Sequence, residues 1–148
     1  LSRDGKWLSA AIEENDQVMV NPPFHAEGTV RPAPDKGRAA AHIMQEGALE
    51  VWVRFLATFT APKGGITLIH MPQVLPELLP LLDRRFGAIT LFPLFPKEGE
   101  PAVRVIVQAR KASRAGLRLL PGLVLHEADG RYTEKAEAVL RKGAALDL

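Results

Sequence analysis

Gln17-Val18-Met19-Val20-Asn21-Pro22-Pro23-Phe24-His25 is the stretch around which the chain is arranged. Residues 17–20 read as a strand, and they run directly into a segment that can extend neither a helix nor a sheet ladder. Pro22 and Pro23 lack backbone N–H groups and lock φ at about −65°, while Asn21, as the residue before a proline, is pushed toward an extended conformation. The product is a stiff loop at the carboxyl end of a strand, where open α/β sheets hold their ligands.

Outward from that loop the chain alternates between strand and helix patterns. Upstream, residues 6–14 have the apolar spacing of a short helix or turn. Downstream, residues 21–34 form a Pro- and Gly-rich loop with the character of a mobile, substrate-facing segment. Asp35 then caps a long amphipathic helix over 36–59, in which Ile43, Met44, Gly47, Val51, Phe55, Leu56 and Phe59 recur at three- and four-residue spacing and are expected to pack on a sheet. Pro62-Lys63-Gly64-Gly65 is expected to be a turn, and residues 66–70 an apolar strand buried between helical layers.

A second helix is expected over 72–86, with Leu75, Leu78, Leu79, Leu82 and Phe86 on one face. Pro76 and Pro80 should kink its start, Asp83-Arg84-Arg85 its regular end, and Gly87 should take the position just past it. Strands 88–94 and 102–109 are joined by Pro96-Lys97-Glu98-Gly99-Glu100-Pro101, a connection too short for a crossover helix, so they should be antiparallel neighbours. Residues 119–126 are expected to add a strand or extended segment, and Thr133 to cap a short final helix. The fold class is α/β, a mixed sheet ending in an antiparallel hairpin, with residues 1–148 as one domain.

The chemistry is gathered at the opening loop. The side-chain oxygen of Asn21 and the carbonyl of Pro22 can both accept from an exocyclic NH2, and the Phe24 ring can stack on the π-face beside it. Two acceptors on one amine draw its lone pair out of conjugation, so the nitrogen can attack an electrophilic methyl without a general base. For the four residues alone, a rigid strand-to-helix connector is the alternative. His25 follows the loop and could touch substrate. Arg31, Lys36 and Arg38 come next, and Arg110, Lys111 and Arg114 belong to an acid-free run over 110–118; both groups are candidates for phosphate contact or for a solvated surface.

Composition narrows the classes. The 148 residues hold 19 basic against 17 acidic side chains, a net charge of +2, so overall charge does not announce a nucleic-acid binder. The absence of cysteine leaves no disulfide framework and no thiolate metal site, which fits an intracellular, cytoplasmic protein. His25, His42, His70 and His126 lack metal-ligand spacing, so no metal is expected. No apolar run approaches the roughly 20 residues that span a bilayer, and Leu1-Ser2-Arg3-Asp4-Gly5 is not the start of a signal peptide, so no membrane role is expected.

Asn21-Pro22-Pro23-Phe24 resembles the catalytic loop of amino methyltransferases that use S-adenosylmethionine. Pro34-Asp35 with residues 38–42, Pro62-Lys63-Gly64-Gly65, Arg85-Phe86-Gly87, Ala102-Val103-Arg104-Val105 and Lys111-Ala112-Ser113-Arg114 extend the likeness. So do Leu120-Pro121-Gly122-Leu123 and Tyr132-Thr133-Glu134-Lys135. Together, over nearly all of the chain from about Asp16, they are similar to the bacterial tRNA1(Val) (adenine-N6)-methyltransferase-like family.

The resemblance implies the C-terminal half of a Rossmann-like class I methyltransferase, with S-adenosylmethionine as cofactor and tRNA as partner. Methyl transfer to N6 of the adenine beside the anticodon would then be the activity. Asn21, Pro22, Pro23 and Phe24 would be the catalytic loop, with Asn21 also near the methyl donor. His25, Arg31, Lys36, Arg38, Arg110, Lys111 and Arg114 would face the RNA. Guanine-N2 rRNA methyltransferases and glutamine methyltransferases of release factors have similar loops, so those substrates stay open, as does a non-catalytic RNA-binding remnant. The family's upstream half, with a Gly-rich turn and an acidic residue for the cofactor, has no counterpart here. The chain is therefore expected to be a fragment inactive by itself, with strand 17–20 left as a bare edge that invites self-association.

Overall fold

The computed structural model describes residues 15–21 and 48–148. The expected helix at 6–14, the first part of the helix at 36–59 and nearly all of the loop at 21–34 lie outside the described residues. In chain order the elements are β1 (Asn15–Val20), α1 (Ala48–Phe59), β2 (Thr60–His70), a 3-10 turn (Pro72–Val74), α2 (Leu75–Asp83), β3 (Phe86–Phe95), β4 (Arg104–Lys111), β5 (Arg118–Leu119), β6 (Leu123–Val124) and α3 (Glu134–Lys142).

All six strands share one sheet, ordered β1-β2-β4-β3-β5, with β6 also on β3. β1 runs parallel to β2, and β4 lies antiparallel between β2 and β3. β3 therefore points the same way as β2, and β5 and β6 extend its outer edge in parallel. The hairpin expected from the short connection between residues 95 and 102 is the β3–β4 pair. Its return strand is wedged between two strands that a helical crossover joins.

Two sequence expectations about boundaries are corrected. Pro62-Lys63-Gly64-Gly65 is not a connecting turn. The chain has already entered β2 at Thr60, and these residues bulge from it, moving the register with β1 from Asn15 opposite Thr60 to Gln17 opposite Gly65. Lys63 takes a φ of 66° to make the bulge, and Pro62 is tolerated there because a bulge needs no ladder hydrogen bond from it. Gly87, in turn, does not end a helix. α2 stops at Asp83 with Arg84 as its cap, and Phe86 and Gly87 begin β3. A Cβ at Gly87 would stand 2.2 Å from the Ser113 carbonyl oxygen, so glycine is required there to let the segment after β4 cross the start of β3.

The prolines behave as their positions dictate. Pro76 falls in the first turn of α2, where no intrahelical bond from its nitrogen is missed, and the 3-10 turn takes up the irregular start. Pro80 sits inside the helix on its exposed side.

One face of the sheet is closed by α1 and α2. Val53, Leu56, Leu78 and Leu82 bury completely against Ile66, Leu68, Leu91, Val105 and Val107. Val51, expected in the α1 stripe, is instead 46% exposed, because the buried row runs through Leu49, Val53, Leu56 and Ala57. Trp52, Phe55 and Phe59 form a half-buried aromatic ladder beside it, with centroids 5.9 and 4.4 Å apart.

The opposite face is covered only in part. α3, capped by the Thr133 hydroxyl accepting from the Ala136 N–H and closed by Gly143 at φ 69°, lays Ala136 with Leu146 and Leu148 over Phe92, Leu94, Ile106 and Leu123. Over β1 and the neighbouring part of β2 nothing described covers this face, and Met19 is 77% exposed. Nor does any described residue pair with the outer edge of β1.

Candidate functional site

Asn21 is the described residue of the catalytic-looking loop, and it stands at the carboxyl end of β1 with its side chain exposed. Alternation along β1 and β2 sets Val18, Val20, Ile66, Leu68 and His70 toward the helices and Met19, Thr67 and Ile69 toward the open face. On that open face Met19, Asn21, Thr67, Ile69 and Ile106 line a shallow hollow of about 400 Å³. Its walls are apolar, with Asn21 at the strand's end and Thr67 among them as polar groups. Such a hollow fits a flat, largely apolar group with one polar edge. Among the described residues no carboxylate lines it.

His70 ends β2 beside this site and was not marked as functional by its sequence context. It lies on the helix-covered face, 9% exposed, with Nδ1 accepting from the Met71 N–H at 2.8 Å. Burial pushes its imidazole below the ordinary value of 6.5, and the Arg104 guanidinium acts in the same direction. Its acceptor nitrogen Nδ1 is spent on the turn that leads into the 3-10 segment. The available signal was the alternation itself, which assigns position 70 to the same buried row as Ile66 and Leu68.

The other sequence-proposed residues divide into two groups. Pro22, Pro23, Phe24, His25, Arg31, Lys36 and Arg38 lie outside the described residues. Arg110, Lys111 and Arg114 are described, and the structure does not bring them to Asn21. Arg110 is level with Gly65, which is level with Gln17, at the amino end of the parallel strands. Asn21 is four residues further along β1, about 13 Å at strand rise, and two strands across. Lys111 is half-buried, and its ammonium donates to the Thr60 carbonyl at 2.6 Å, clipping β4 to the start of β2. Arg110 and Arg114 are exposed. Among the described residues there is no cluster of His, Cys, Asp or Glu able to hold a metal ion, and no helix is long and apolar enough to cross a membrane.

With this geometry the chain can be compared with known proteins. No protein-family model matches it, and no curated protein does. Among solved structures it is similar to a predicted O-methyltransferase from Agrobacterium tumefaciens, with a TM-score of 0.71 and 26% identity over 92% of this chain and 56% of that one. It is also similar to a modification subunit of a proposed type I restriction enzyme from Vibrio vulnificus, with a TM-score of 0.50 and 11% identity over 84% of this chain and 30% of that one. The chain therefore spans about half the length of the first of these structures and less of the second. A parallel sheet with one antiparallel strand wedged next to its last parallel member, two helices on one face, and these two likenesses together give it the mixed α/β sheet of a Rossmann-like methyltransferase fold.

Proposed function

We propose that this chain is the acceptor-binding part of an S-adenosylmethionine-dependent methyltransferase acting on an amino nitrogen, N6 of an adenine in tRNA. The observation that carries the reading is Asn21. It closes the first strand of a methyltransferase sheet, exposed beside an apolar hollow, and leads in sequence into Pro22-Pro23-Phe24.

The residues of this chain then divide the work. The Asn21 carboxamide oxygen accepts one N–H of the amine, and the Pro22 carbonyl accepts the other. Held this way, the nitrogen keeps its lone pair available out of the ring plane. Phe24 stacks on the base, and Arg31, Lys36 and Arg38 meet the phosphates that flank it. S-adenosylmethionine, when bound, supplies the electrophilic methyl group. The hollow suits the acceptor and the methyl end of that cofactor, and among the described residues no carboxylate lines it to hold the ribose. The remaining contacts are assigned to parts of the complete protein outside the described residues. An adenine in an anticodon loop is unpaired, so extruding it costs less than the few kcal/mol typical of duplex.

A second reading, with a hydroxyl as acceptor, is favoured by the description of the Agrobacterium protein as an O-methyltransferase. A hydroxyl carries one hydrogen, however, and would use only one of the two acceptors. It would also need a base, and the nearby imidazole of His70 is buried on the opposite face with Nδ1 engaged.

The test uses the complete protein, the chain together with whatever its gene encodes before it. It is incubated with bulk tRNA and S-adenosylmethionine, and the nucleosides are resolved by mass spectrometry. N6-methyladenosine is the expected product. N2-methylguanosine, methylated protein glutamine or a methylated hydroxyl would overturn the assignment.

A further inference from the structure

Cations without carboxylate partners among the described residues gather at one end of the sheet. At the amino end of the parallel strands stand Arg84 and Arg85 in the turn before β3, Arg110 and Lys111 at the end of β4, Arg114 in the crossing segment, and Arg118 opening β5. Against them are Asp83 beside Arg84, Asp16 in β1 and Asp147 near the last residue. Among the described residues no carboxylate lies within ion-pair distance of any of the six cations, whereas at the far end Arg131 is paired with Asp129 at 2.7 Å. That far end, where Asn21 stands, carries Glu98, Glu100, Glu127 and Asp129 on the loops beyond β3 and β6 and Glu134 at the start of α3, interleaved with Lys97, Arg104, Arg131 and Lys135. The Arg131 N–H and guanidinium hold the Asp129 carboxyl below its usual range, so it stays charged.

The basic end is also rigid. The segment after β4 is tied to the start of β3 by the Ala88 N–H donating to the Ala115 carbonyl at 2.7 Å and by the close pass of Ser113 over Gly87. The Ala115 N–H in turn donates to the Ser113 hydroxyl. Lys111 is clipped to Thr60, and the Arg118 guanidinium donates to the Thr90 hydroxyl at 3.1 Å, leaving its other N–H groups free to turn outward. Between Arg110 and Arg118 lies a hollow of about 260 Å³, walled by Gln17, Gln108 and Thr90. Two arginines without carboxylate partners among the described residues and the Gln17 amide border one hollow, with Gln108 donating to the Thr67 hydroxyl and Leu148 closing it, a cationic set that suits a phosphate group.

We infer that this amino-end surface binds the RNA phosphate backbone, at a place separate from the base held by Asn21. The choice of RNA as the anion rests on the methyl-transfer reading; the unpaired basic surface does not. A nucleotide seated at Asn21 does not itself reach Arg110, so the RNA that fills both is a folded one presenting a second stretch of backbone. The six cations are thus an anchor, and the chemistry is at the other end.

The experiment measures binding of fluorescently labelled bulk tRNA to the complete protein without cofactor, by anisotropy across a salt series from about 50 to 200 mM, the range over which phosphate contacts are lost. The triple variant R84Q/R110Q/R114Q removes exposed charges only, and circular dichroism checks that its fold is kept. It should weaken binding at least tenfold at about 100 mM salt and lower the slope of log affinity against log salt by about 2, from roughly 0.7–0.9 per contact. K97Q/R131Q, at the opposite end, should change affinity less than twofold. Equal losses in the two multiple variants, or none in the triple variant, would overturn the surface. Preferential binding of the wild type to phosphatidylserine vesicles over tRNA would overturn it too, in favour of a membrane contact. Failure of the methylation reading shows differently, as a missing N6-methyladenosine product while the charge map of tRNA binding holds.

Discussion

The two faces of the sheet differ more than any two elements of the molecule. The face under α1 and α2 is closed, with Val53, Leu56, Leu82 and Val107 fully buried. The other face is closed over β3 and β4 by α3 and the last residues, but beside β1 it leaves Met19, Thr67 and Ile69 around an open hollow. The first face carries stability. The second carries the proposed chemistry.

The difference can be broken most forcefully on the closed side. Leu82→Ala leaves a cavity between α2 and the sheet and should cost about 2–5 kcal/mol of unfolding free energy, read from urea denaturation. Next comes Gly87→Ala. The added methyl meets a carbonyl oxygen of the crossing segment, a backbone atom that cannot rotate away, and a loss of about 1–3 kcal/mol is expected. If it were neutral, the crossing would be loose, and the basic surface built on it would lose its rigidity.

On the open side, Met19→Lys should leave the melting temperature nearly unchanged because that side chain is already in water. It should instead suppress the self-association expected of this chain alone through the edge of β1 that no described residue pairs with, measured by sedimentation over a concentration series. A wild-type chain that stays monomeric at every concentration would show that the edge does not pair. The smallest effect is at His70. Its folded-state value lies below the unfolded 6.5, so the stability it contributes is complete above that pH. Below it the unfolded chain takes up the proton first, and stability falls as pH drops through and below 6.5. His70→Asn should flatten that part of the stability profile, and an unchanged profile would assign the acid sensitivity elsewhere.

Much of the closed face could be read in advance. Leucines spaced along residues 75–82 named the buried side of α2, and the short, Pro- and Gly-bounded connection after residue 95 named the antiparallel pair. What the sequence obscured was obscured for identifiable reasons. Pro62-Lys63-Gly64-Gly65 has the composition of a turn, and only the ladder that resumes at Gly65 makes it a bulge. Gly87 sits where a helix cap would, yet its lack of a side chain serves a neighbour 26 residues away in sequence. No local pattern records that contact. Val51 and Val53 are both apolar and two residues apart, and choosing between them needed the sheet's position. Asn21 was singled out by the prolines after it, and it stands at the end of β1 beside the hollow. The separation of the basic run from Asn21 was not, since the direction of β4 decides which end of the sheet its last residues occupy.

The most direct test of the account is a split between turnover and cofactor affinity in Asn21→Ala of the complete protein, with cofactor binding followed by calorimetry. Because Asn21 is assigned to the acceptor amine, turnover should fall by at least two orders of magnitude, about 2.7 kcal/mol or more, while the dissociation constant of S-adenosylmethionine changes by less than threefold. Parallel losses in both would make Asn21 a cofactor residue and contradict the account.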